Sequence, residues 1–290
     1  MTLVLYYDED ANTVAEPVEV MRVPDVTVSL GTRTGRSEAL TGRAVVTGVQ
    51  NGTYTPAVRT ETLPPFYQPG AAVSVQVPAS EGSLFYVPLI VNIGNNNPGQ
   101  YLAFGDSLTR GDGAAIGQSY PSKLQGRLTA HFGYANVRNR GADATNSYEA
   151  LERLNRNLFN DAFALILYGT NDWNIPGCQD LPATCPTVEN LRIVVRRVKA
   201  AGTLPFLATL PPVNPAVNAG RNEWVAAINT GIKAMGPQEG AFVVDLYQAF
   251  QNQGGDLSRF FADGVHPNEA GYDVMANGFF EAIAHGRSAP

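Results

Sequence analysis

From residue 101 onward, apolar segments predicted as strands alternate with amphipathic segments predicted as helices, and this alternation constrains the fold most. The five predicted strands cover residues 101–104, 135–139, 163–168, 205–210 and 242–246. Strand–helix units in this number require a parallel sheet with helices on both faces. The helix predicted over 188–201 places Leu191, Val194, Val195 and Val198 on one face, and we interpret them as core. The sequence therefore predicts an α/β fold of three layers, α/β/α, around a five-stranded parallel sheet.

Residues 1–98 follow a different pattern. Their short apolar segments cover residues 18–21, 26–30, 44–49, 58–62, 72–77 and 84–93, and clusters of Gly, Pro and Asn separate them. Helical periodicity is absent, which favours a small all-β sandwich, Ig-like or jelly-roll-like. The polar turn over residues 94–99 is the predicted linker. We thus expect a β-sandwich accessory domain over 1–98 and a catalytic domain over 99–290.

Composition limits the partners and the location. The formal net charge is −6 and no basic cluster stands out, so a nucleic-acid partner is not expected. The longest apolar stretch, Leu84 to Val91, is short and interrupted by Pro88, so no membrane span is expected. The first ten residues lack the features of a signal peptide. Either the protein is cytoplasmic or its signal lies outside this sequence.

The two cysteines, Cys178 and Cys185, flank a proline-containing loop after the third strand of the sheet. This spacing predicts a local disulfide, which implies an oxidising compartment and hence a secreted or periplasmic protein. A pair of free thiols is the alternative. A zinc site is not expected, because two cysteines without neighbouring histidines fall short of four ligands.

Two motifs at opposite ends of the predicted α/β domain carry the parts of a serine hydrolase. Ser107 directly follows the first strand, whereas Asp263 and His266 precede the last predicted helix. A serine hydroxyl needs a neighbouring base, and the base needs a group that fixes its orientation. Each motif alone is a common turn or loop, but together they predict Ser107 as nucleophile, His266 as base and Asp263 as its orienting carboxylate.

Two further observations narrow this interpretation. The chain has only three histidines, and His131 ends a predicted helix while His285 lies in the C-terminal tail, which leaves His266. Thr109 stands where the nucleophile elbow of an α/β-hydrolase requires a second glycine, so that fold is disfavoured.

The chain resembles the SGNH, or GDSL, hydrolase family in three of its sequence blocks. These are Gly105-Asp106-Ser107-Leu108, Gly169-Thr170-Asn171-Asp172 and Asp263-Gly264-Val265-His266-Pro267-Asn268. The resemblance implies a flavodoxin-like domain in which Ser107, Asp263 and His266 form a catalytic triad. It also implies that the Ser107 backbone N–H and the Asn171 side-chain amide donate to the oxyanion.

The second block departs from the family pattern. In Asn139-Arg140-Gly141-Ala142-Asp143-Ala144-Thr145-Asn146, Ala144 occupies the place of a glycine whose backbone N–H completes the oxyanion hole. Alanine supplies the same N–H, provided that its φ is not positive. We expect Ala144 to donate, with Gly141 as the alternative donor.

The resemblance implies a serine esterase that needs neither a metal nor an organic cofactor. A β-sandwich joined to such a domain is similar to the arrangement in some carbohydrate deacetylases, which suggests short acyl esters, on small molecules or polysaccharides, as substrates. A lysophospholipase, lipase or acyltransferase with the same triad is one alternative, and a non-catalytic glycan-binding protein is another. Trp173 and the Cys178–Cys185 loop either line the substrate cleft or serve in packing. The sequence predicts no oligomeric state.

Overall fold

The computed structural model describes residues 1–180 and 182–289, and these form two compact units. The first unit contains Met1–Asn92, Gly126–Ala135 and Ile283–Gly286. The second contains Ile93–Gln125, Asn136–Ala282 and the described residues from 287 onward. The assignment of 1–98 and 99–290 as domains stays a prediction.

Short strands build the N-terminal segment, as the sequence predicts. They are β1 (Thr2–Tyr7), β2 (Thr27–Leu30), β3 (Arg33–Arg36), β4 (Arg43–Val45), β5 (Gly52–Tyr54), β6 (Ala57–Val58), β7 (Tyr67–Pro69), β8 (Val75–Val77) and β9 (Leu84–Val91). They form sheets of order β4-β1-β9-β7, β3-β2-β6 and β5-β8. The all-β prediction is confirmed.

Two details of that prediction are wrong. β1 was not predicted, although it is central in its sheet, where it pairs parallel to β9 and antiparallel to β4. The segment 18–21, predicted as a strand, lies in a loop, and only the neighbouring Arg22 forms an isolated bridge, with Tyr6.

The second unit contains the predicted five-stranded parallel sheet. Its strands are β10 (Asn97–Gly105), β11 (Asn136–Gly141), β12 (Asp161–Leu167), β13 (Leu204–Ala208) and β14 (Phe242–Val244). They pair in parallel in the order β11-β10-β12-β13-β14. All seven residues of β12 are buried, as expected of a central strand covered on both faces. The linker prediction is wrong at its end, because β10 already begins at Asn97.

The helices follow the predicted alternation. They are α1 (Ser107–Arg110), α2 (Tyr120–Phe132), α3 (Ser147–Arg153), α4 (Thr187–Ala200), α5 (Pro215–Asn218), α6 (Arg221–Gln238), α7 (Leu246–Gln251) and α8 (Glu269–His285). The predicted core face of α4 is confirmed, because Leu191, Val194, Val195 and Val198 are all buried. No helix among the described residues is long and apolar enough to cross a bilayer.

The strand order fixes where a ligand can bind. The chain passes from β10 to β11 on one side and then returns to β12 on the other, so the order reverses at β10. Ligands of open parallel sheets bind beyond the carboxyl ends of the strands at such a reversal. Ser107 lies two residues after the end of β10, and Asn171 lies four residues after the end of β12, so both lie at this edge.

Candidate active site

Ser107 lies at the junction between β10 and α1. Asp106 caps the short helix, and its Oδ1 accepts a hydrogen bond from the Leu108 backbone N–H at 3.0 Å. A side chain at Gly105 would collide with Thr109 and with the Leu167 carbonyl oxygen, so only glycine permits this tight junction. The Ser107 side chain is therefore held in place at the end of a central strand, with only 4% of the residue exposed.

The structure brings Ser107, His266 and Asp263 together. His266 Nε2 lies 3.1 Å from Ser107 Oγ, and His266 Nδ1 lies 2.8 Å from Asp263 Oδ2. These distances form a continuous chain from carboxylate to imidazole to hydroxyl, although 159 residues separate Ser107 from His266. Such a chain lets the imidazole accept the serine proton while the carboxylate holds the ring.

Asp263 is fixed by its own loop. Its Oδ1 accepts backbone N–H bonds from Val265 at 2.8 Å and from His266 at 2.7 Å. Asn214, from a different loop, stabilises this one through two hydrogen bonds. Its side-chain Nδ2 donates to the Asp263 carbonyl oxygen at 2.9 Å, and its backbone N–H donates to the Gly264 carbonyl oxygen at 3.1 Å. Burial raises the pKa of Asp263, but the hydrogen bonds from His266 and Val265 outweigh this and bring the pKa below its usual value. The carboxylate is thus ionised where it faces the ring.

Asn171 is oriented by the second sequence block. Its Nδ2 donates to the Thr145 carbonyl oxygen at 2.9 Å. An amide nitrogen carries two hydrogens, so one remains for a further acceptor. Sequence reasoning assigned Asn171 to the oxyanion, and its remaining N–H makes that role chemically possible.

Ala144 does not meet the condition set for it. Its φ is +54°, in the left-handed region that alanine occupies at a cost of about 1–2 kcal/mol. The chain therefore adopts here the backbone conformation that suits a glycine, while the N–H is retained. Gly141, the alternative donor, already donates its N–H to Asn139 Oδ1 at 2.9 Å, and a side chain there would collide with the Arg110 backbone. The Ala144 role stays a prediction.

A buried polar network that sequence reasoning missed joins the loops after β11 and β12. Asp172 accepts hydrogen bonds from the Ser147 N–H at 2.8 Å, the Ser147 hydroxyl at 2.5 Å and the Thr187 hydroxyl at 2.6 Å. Asn190 Nδ2 donates to Ser147 Oγ at 2.8 Å. Burial raises the pKa of Asp172 in spite of these bonds. The only sequence signal was that Asp172 follows Asn171 at the end of a buried strand.

Asp106 is the second buried acid of the site. The residue is fully buried, and among the described residues its Oδ2 has no hydrogen-bond partner. Burial is the main cause that raises its pKa to about 7, and Asp172 adds to the effect. A carboxyl group directly before the nucleophile is thus partly protonated near neutral pH.

The Trp173 ring packs against Trp224 and Arg221. Its ring meets Trp224 edge to face at 5.6 Å, and the Arg221 guanidinium lies 5.6 Å from its centre. Cys178 and Cys185 form a disulfide, and the Cys178 carbonyl accepts a bond from Trp224 Nε1 at 2.8 Å. These contacts supply a packing role for Trp173, and a role in substrate binding stays a prediction.

A cavity of about 410 Å³ lies at the end of α1, and its apolar lining includes Ala114, Ala115 and Ile116. The backbone N–H groups of Gly111 and Asp112 donate to the Ser107 carbonyl at 2.9 and 3.2 Å, so the cavity wall continues directly from α1. Its polar lining comprises Arg110, Asp112, Ser119, Ser122 and Asn139.

A family model for the GDSL-like lipase/acylhydrolase family matches residues 103–274. The chain belongs to this family. The GDSL-like match includes Ser107, Asn171, Asp263 and His266, and it identifies the chain as a carboxylic ester hydrolase. No curated protein sequence matches the chain.

Solved structures of several hydrolases are similar in fold to about two thirds of this chain. A lipase/acylhydrolase from Enterococcus faecalis is 21% identical with a TM-score of 0.54, and the match covers 64% of this chain and 95% of that one. An acetylxylan esterase from Geobacillus stearothermophilus is 20% identical with a TM-score of 0.55, covering 68% and 98%. A lipolytic G-D-S-L family protein from Veillonella parvula is 20% identical with a TM-score of 0.53, covering 63% and 97%. At these identities the likeness concerns the fold.

Proposed function

We propose that this GDSL-like hydrolase is a serine esterase that removes short acyl groups, acetyl above all, from hydroxyl groups of carbohydrates. The observation that carries the mechanism is the chain of distances from Asp263 to His266 to Ser107, 2.8 and 3.1 Å. Ser107 Oγ attacks the ester carbonyl as His266 Nε2 takes its proton. The ionised Asp263 stabilises the imidazolium that forms.

The negative charge that develops on the carbonyl oxygen requires donors. In this proposal they are the backbone N–H groups of Ser107 and Ala144 and the side-chain amide of Asn171. Each such donor contributes a factor of about 10²–10³ in turnover. His266 then returns its proton to the leaving alcohol, and water, activated by the same imidazole, hydrolyses the acyl-enzyme and regenerates Ser107.

Two observations support a short acyl group and a polar alcohol. The cavity at the end of α1 has charged, amide and hydroxyl side chains in its wall beside Ala114, Ala115 and Ile116. The polar groups can bind the hydroxyls of a sugar, whereas a long acyl chain would need a wall that is apolar throughout. One structure of similar fold is an acetylxylan esterase. Small-molecule and polysaccharide esters are both included in the proposal.

The test is a series of p-nitrophenyl esters from acetate to palmitate, followed by an acetylated xylooligosaccharide. We expect the highest kcat/KM on acetate and release of acetate from the sugar. A long-chain optimum would instead indicate a lysophospholipase or lipase, acyl transfer to an added alcohol would indicate an acyltransferase, and no hydrolysis would indicate a non-catalytic glycan-binding protein. Each of these results would contradict the proposal.

Ser107→Ala tests the mechanism within that series. We expect kcat to fall by at least about 10³-fold, because the remaining groups have no nucleophile to activate. Ser258→Ala is the matched control, since the Ser258 hydroxyl donates to Asp256 at 2.7 Å in another loop, and we expect its rate to stay within about twofold of wild type. Retained activity in Ser107→Ala would remove Ser107 from the mechanism.

A further inference from the structure

An acidic loop of twelve residues, 8–19, follows β1 in the first unit. It contains Asp8, Glu9, Asp10, Glu16 and Glu19 and no Lys or Arg. Strand pairing closes the loop at its base, because the Tyr7 N–H donates to the Met21 carbonyl at 3.2 Å and Tyr6 bridges to Arg22. The acidic side chains are thus held on a fixed frame.

Three of the carboxylates converge. Asp8, Asp10 and Glu19 each offer one oxygen, and these oxygens lie within 4.8 Å of one another. Ca²⁺ binds oxygen ligands at about 2.3–2.6 Å, so two ligands of one ion lie no more than about 5 Å apart. The three oxygens therefore fit around a single ion.

Burial separates this cluster from an ordinary acidic surface patch. Asp8 is 1% exposed and Glu19 is 2% exposed. Asp8 Oδ2 accepts the Thr13 N–H at 3.0 Å, but Asp8 Oδ1 has no hydrogen-bond partner among residues 1–180 and 182–289. Asp8 contributes one of its two oxygens to the cluster. Oδ1 is therefore either that oxygen or its direct neighbour on the same carboxylate.

No basic side chain neutralises the cluster within the described part of the chain. The nearby Arg22 guanidinium donates to the backbone carbonyls of Glu19 and Met21, not to a carboxylate. The Tyr6 hydroxyl, two residues before Asp8, is buried without a hydrogen-bond partner in that part of the chain. Buried carboxylates without a counter-charge are costly, and a bound cation removes that cost.

The order of the ligands along the chain gives an independent indication. The calcium loop of EF-hands has Asp, Asp or Asn at positions 1, 3 and 5, a glycine at position 6 and a Glu at position 12. Counted from Asp8, these positions hold Asp8, Asp10, Asn12, Thr13 and Glu19. Thr13 has a φ of +69°, so the chain makes at position 6 the turn for which the motif uses glycine.

Asn12 also reaches into the cluster. Its Nδ2 donates to Asp10 Oδ2 at 2.8 Å and to Glu16 Oε1 at 2.7 Å. Rotation about the last side-chain bond exchanges this nitrogen for the amide oxygen, which is a calcium ligand. The residue at position 5 is therefore within reach of an ion held by Asp10.

We propose that the loop 8–19 binds one Ca²⁺ ion, with Asp8, Asp10, Asn12 and Glu19 as side-chain ligands. An all-oxygen donor set favours a hard cation, and a loop with several carboxylates suits the irregular coordination of Ca²⁺ better than the strict octahedron of Mg²⁺. This site is independent of the esterase activity proposed above.

The test is calorimetric titration of the metal-free full-length chain with CaCl₂ and, separately, with MgCl₂. We expect one Ca²⁺ per chain with a Kd between about 10⁻⁵ and 10⁻³ M, and Mg²⁺ binding at least about tenfold weaker. No heat of binding up to about 10 mM Ca²⁺, which is well above this range, would overturn the proposal, as would equal affinity for the two ions.

Single substitutions identify the ligands. Asp10→Asn and Glu19→Gln each remove one ligand charge, and we expect each to weaken Ca²⁺ binding at least about tenfold. Glu9→Gln is the matched control in the same loop, because position 2 is not a ligand, and we expect less than about a threefold change. If Glu9→Gln weakens binding as much as the other two, the loop only attracts counter-ions and the proposal fails.

Thr13→Gly changes the loop without removing a ligand, so it separates loss of a ligand from misfolding of the loop. Glycine adopts a positive φ without steric cost, so this variant should bind Ca²⁺ at least as tightly as wild type. Weaker binding would contradict the assignment of Thr13 to position 6. Hydrolysis of p-nitrophenyl acetate at the wild-type rate checks that each variant keeps its catalytic unit.

Discussion

At the scale of single residues, Ala144 decides how far this chain departs from its family. An alanine with φ of +54° is strained in a backbone conformation that glycine adopts without steric cost. The N–H that Ala144 donates in the proposed mechanism belongs to the backbone, so it is unchanged between alanine and glycine. The departure from the family pattern therefore affects stability more than chemistry.

Ala144→Gly tests this interpretation. Relief of about 1–2 kcal/mol of strain exceeds the entropy that glycine adds to the unfolded chain, about 0.4–1 kcal/mol. We expect the free energy of unfolding to rise by up to about 1 kcal/mol and kcat to stay within about threefold of wild type. Urea unfolding and initial rates with p-nitrophenyl acetate measure the two quantities. A loss of stability would show that residue 144 does not need a left-handed conformation.

The contact of Ser107 and Asp263 with His266 was predictable at this scale because histidine is scarce in the chain. With three histidines in 290 residues, elimination alone leads to His266, and a hydrogen-bonded Asp263 follows from the spacing. Asp106, Asn214 and Asp172 were not predicted, because their roles depend on burial and on partners far away in the chain. Asn214, for example, holds the Asp263 carbonyl 49 residues away.

At the scale of elements, the spacing of apolar residues was sufficient to predict a helix that buries one face and a strand that is buried on both faces. The predicted helix over 188–201 appears as α4, Thr187–Ala200, and the continuous apolar run of β12 appears as the central strand. β1 is an exception, because its apolar run, Leu3–Tyr7, is a local signal of a buried strand and was nevertheless not predicted. The start of β10 was missed because Asn97 is a polar residue that becomes a strand only by pairing with Asp161.

The acidic loop after β1 illustrates the same limit. Its spacing is present in the sequence, but the flanking helices and the glycine of the motif are not. Only the burial of Asp8 and Glu19 distinguishes this loop from a solvated acidic turn. An element that depends on long-range closure, here by Tyr6 and Arg22, cannot be predicted from local pattern alone.

At the scale of the whole molecule, the buried carboxyl groups make stability depend on pH. The pKa of Asp106 is about 7 in the folded protein and 3.8 as a free side chain. Between these values the folded protein keeps a proton that the unfolded chain has released, so the free energy of unfolding falls as the pH rises through this interval. Asp172, whose pKa is also raised, acts in the same direction.

Asp106→Asn should remove the larger part of this dependence. Asparagine keeps the Oδ1 that caps α1 and carries no charge. We therefore expect the free energy of unfolding to fall less than in wild type between about pH 4 and about pH 7, the interval between the two pKa values. Both tryptophans of the chain, Trp173 and Trp224, lie in the same unit as Asp106, so their fluorescence follows its unfolding in urea. An unchanged dependence on pH would mean that Asp106 does not titrate in this interval.

Folding brings Ser107 into contact with His266, and we propose that this contact activates one serine among all those in the chain. The most direct measurement is peptide mapping by mass spectrometry after reaction with a short-chain p-nitrophenyl phosphonate, which phosphonylates an activated serine and releases p-nitrophenol. We expect one adduct per chain, on Ser107, and loss of that adduct in His266→Ala. Esterase-active protein that carries the adduct on another residue, or that labels Ser107 equally well without His266, would contradict this proposal.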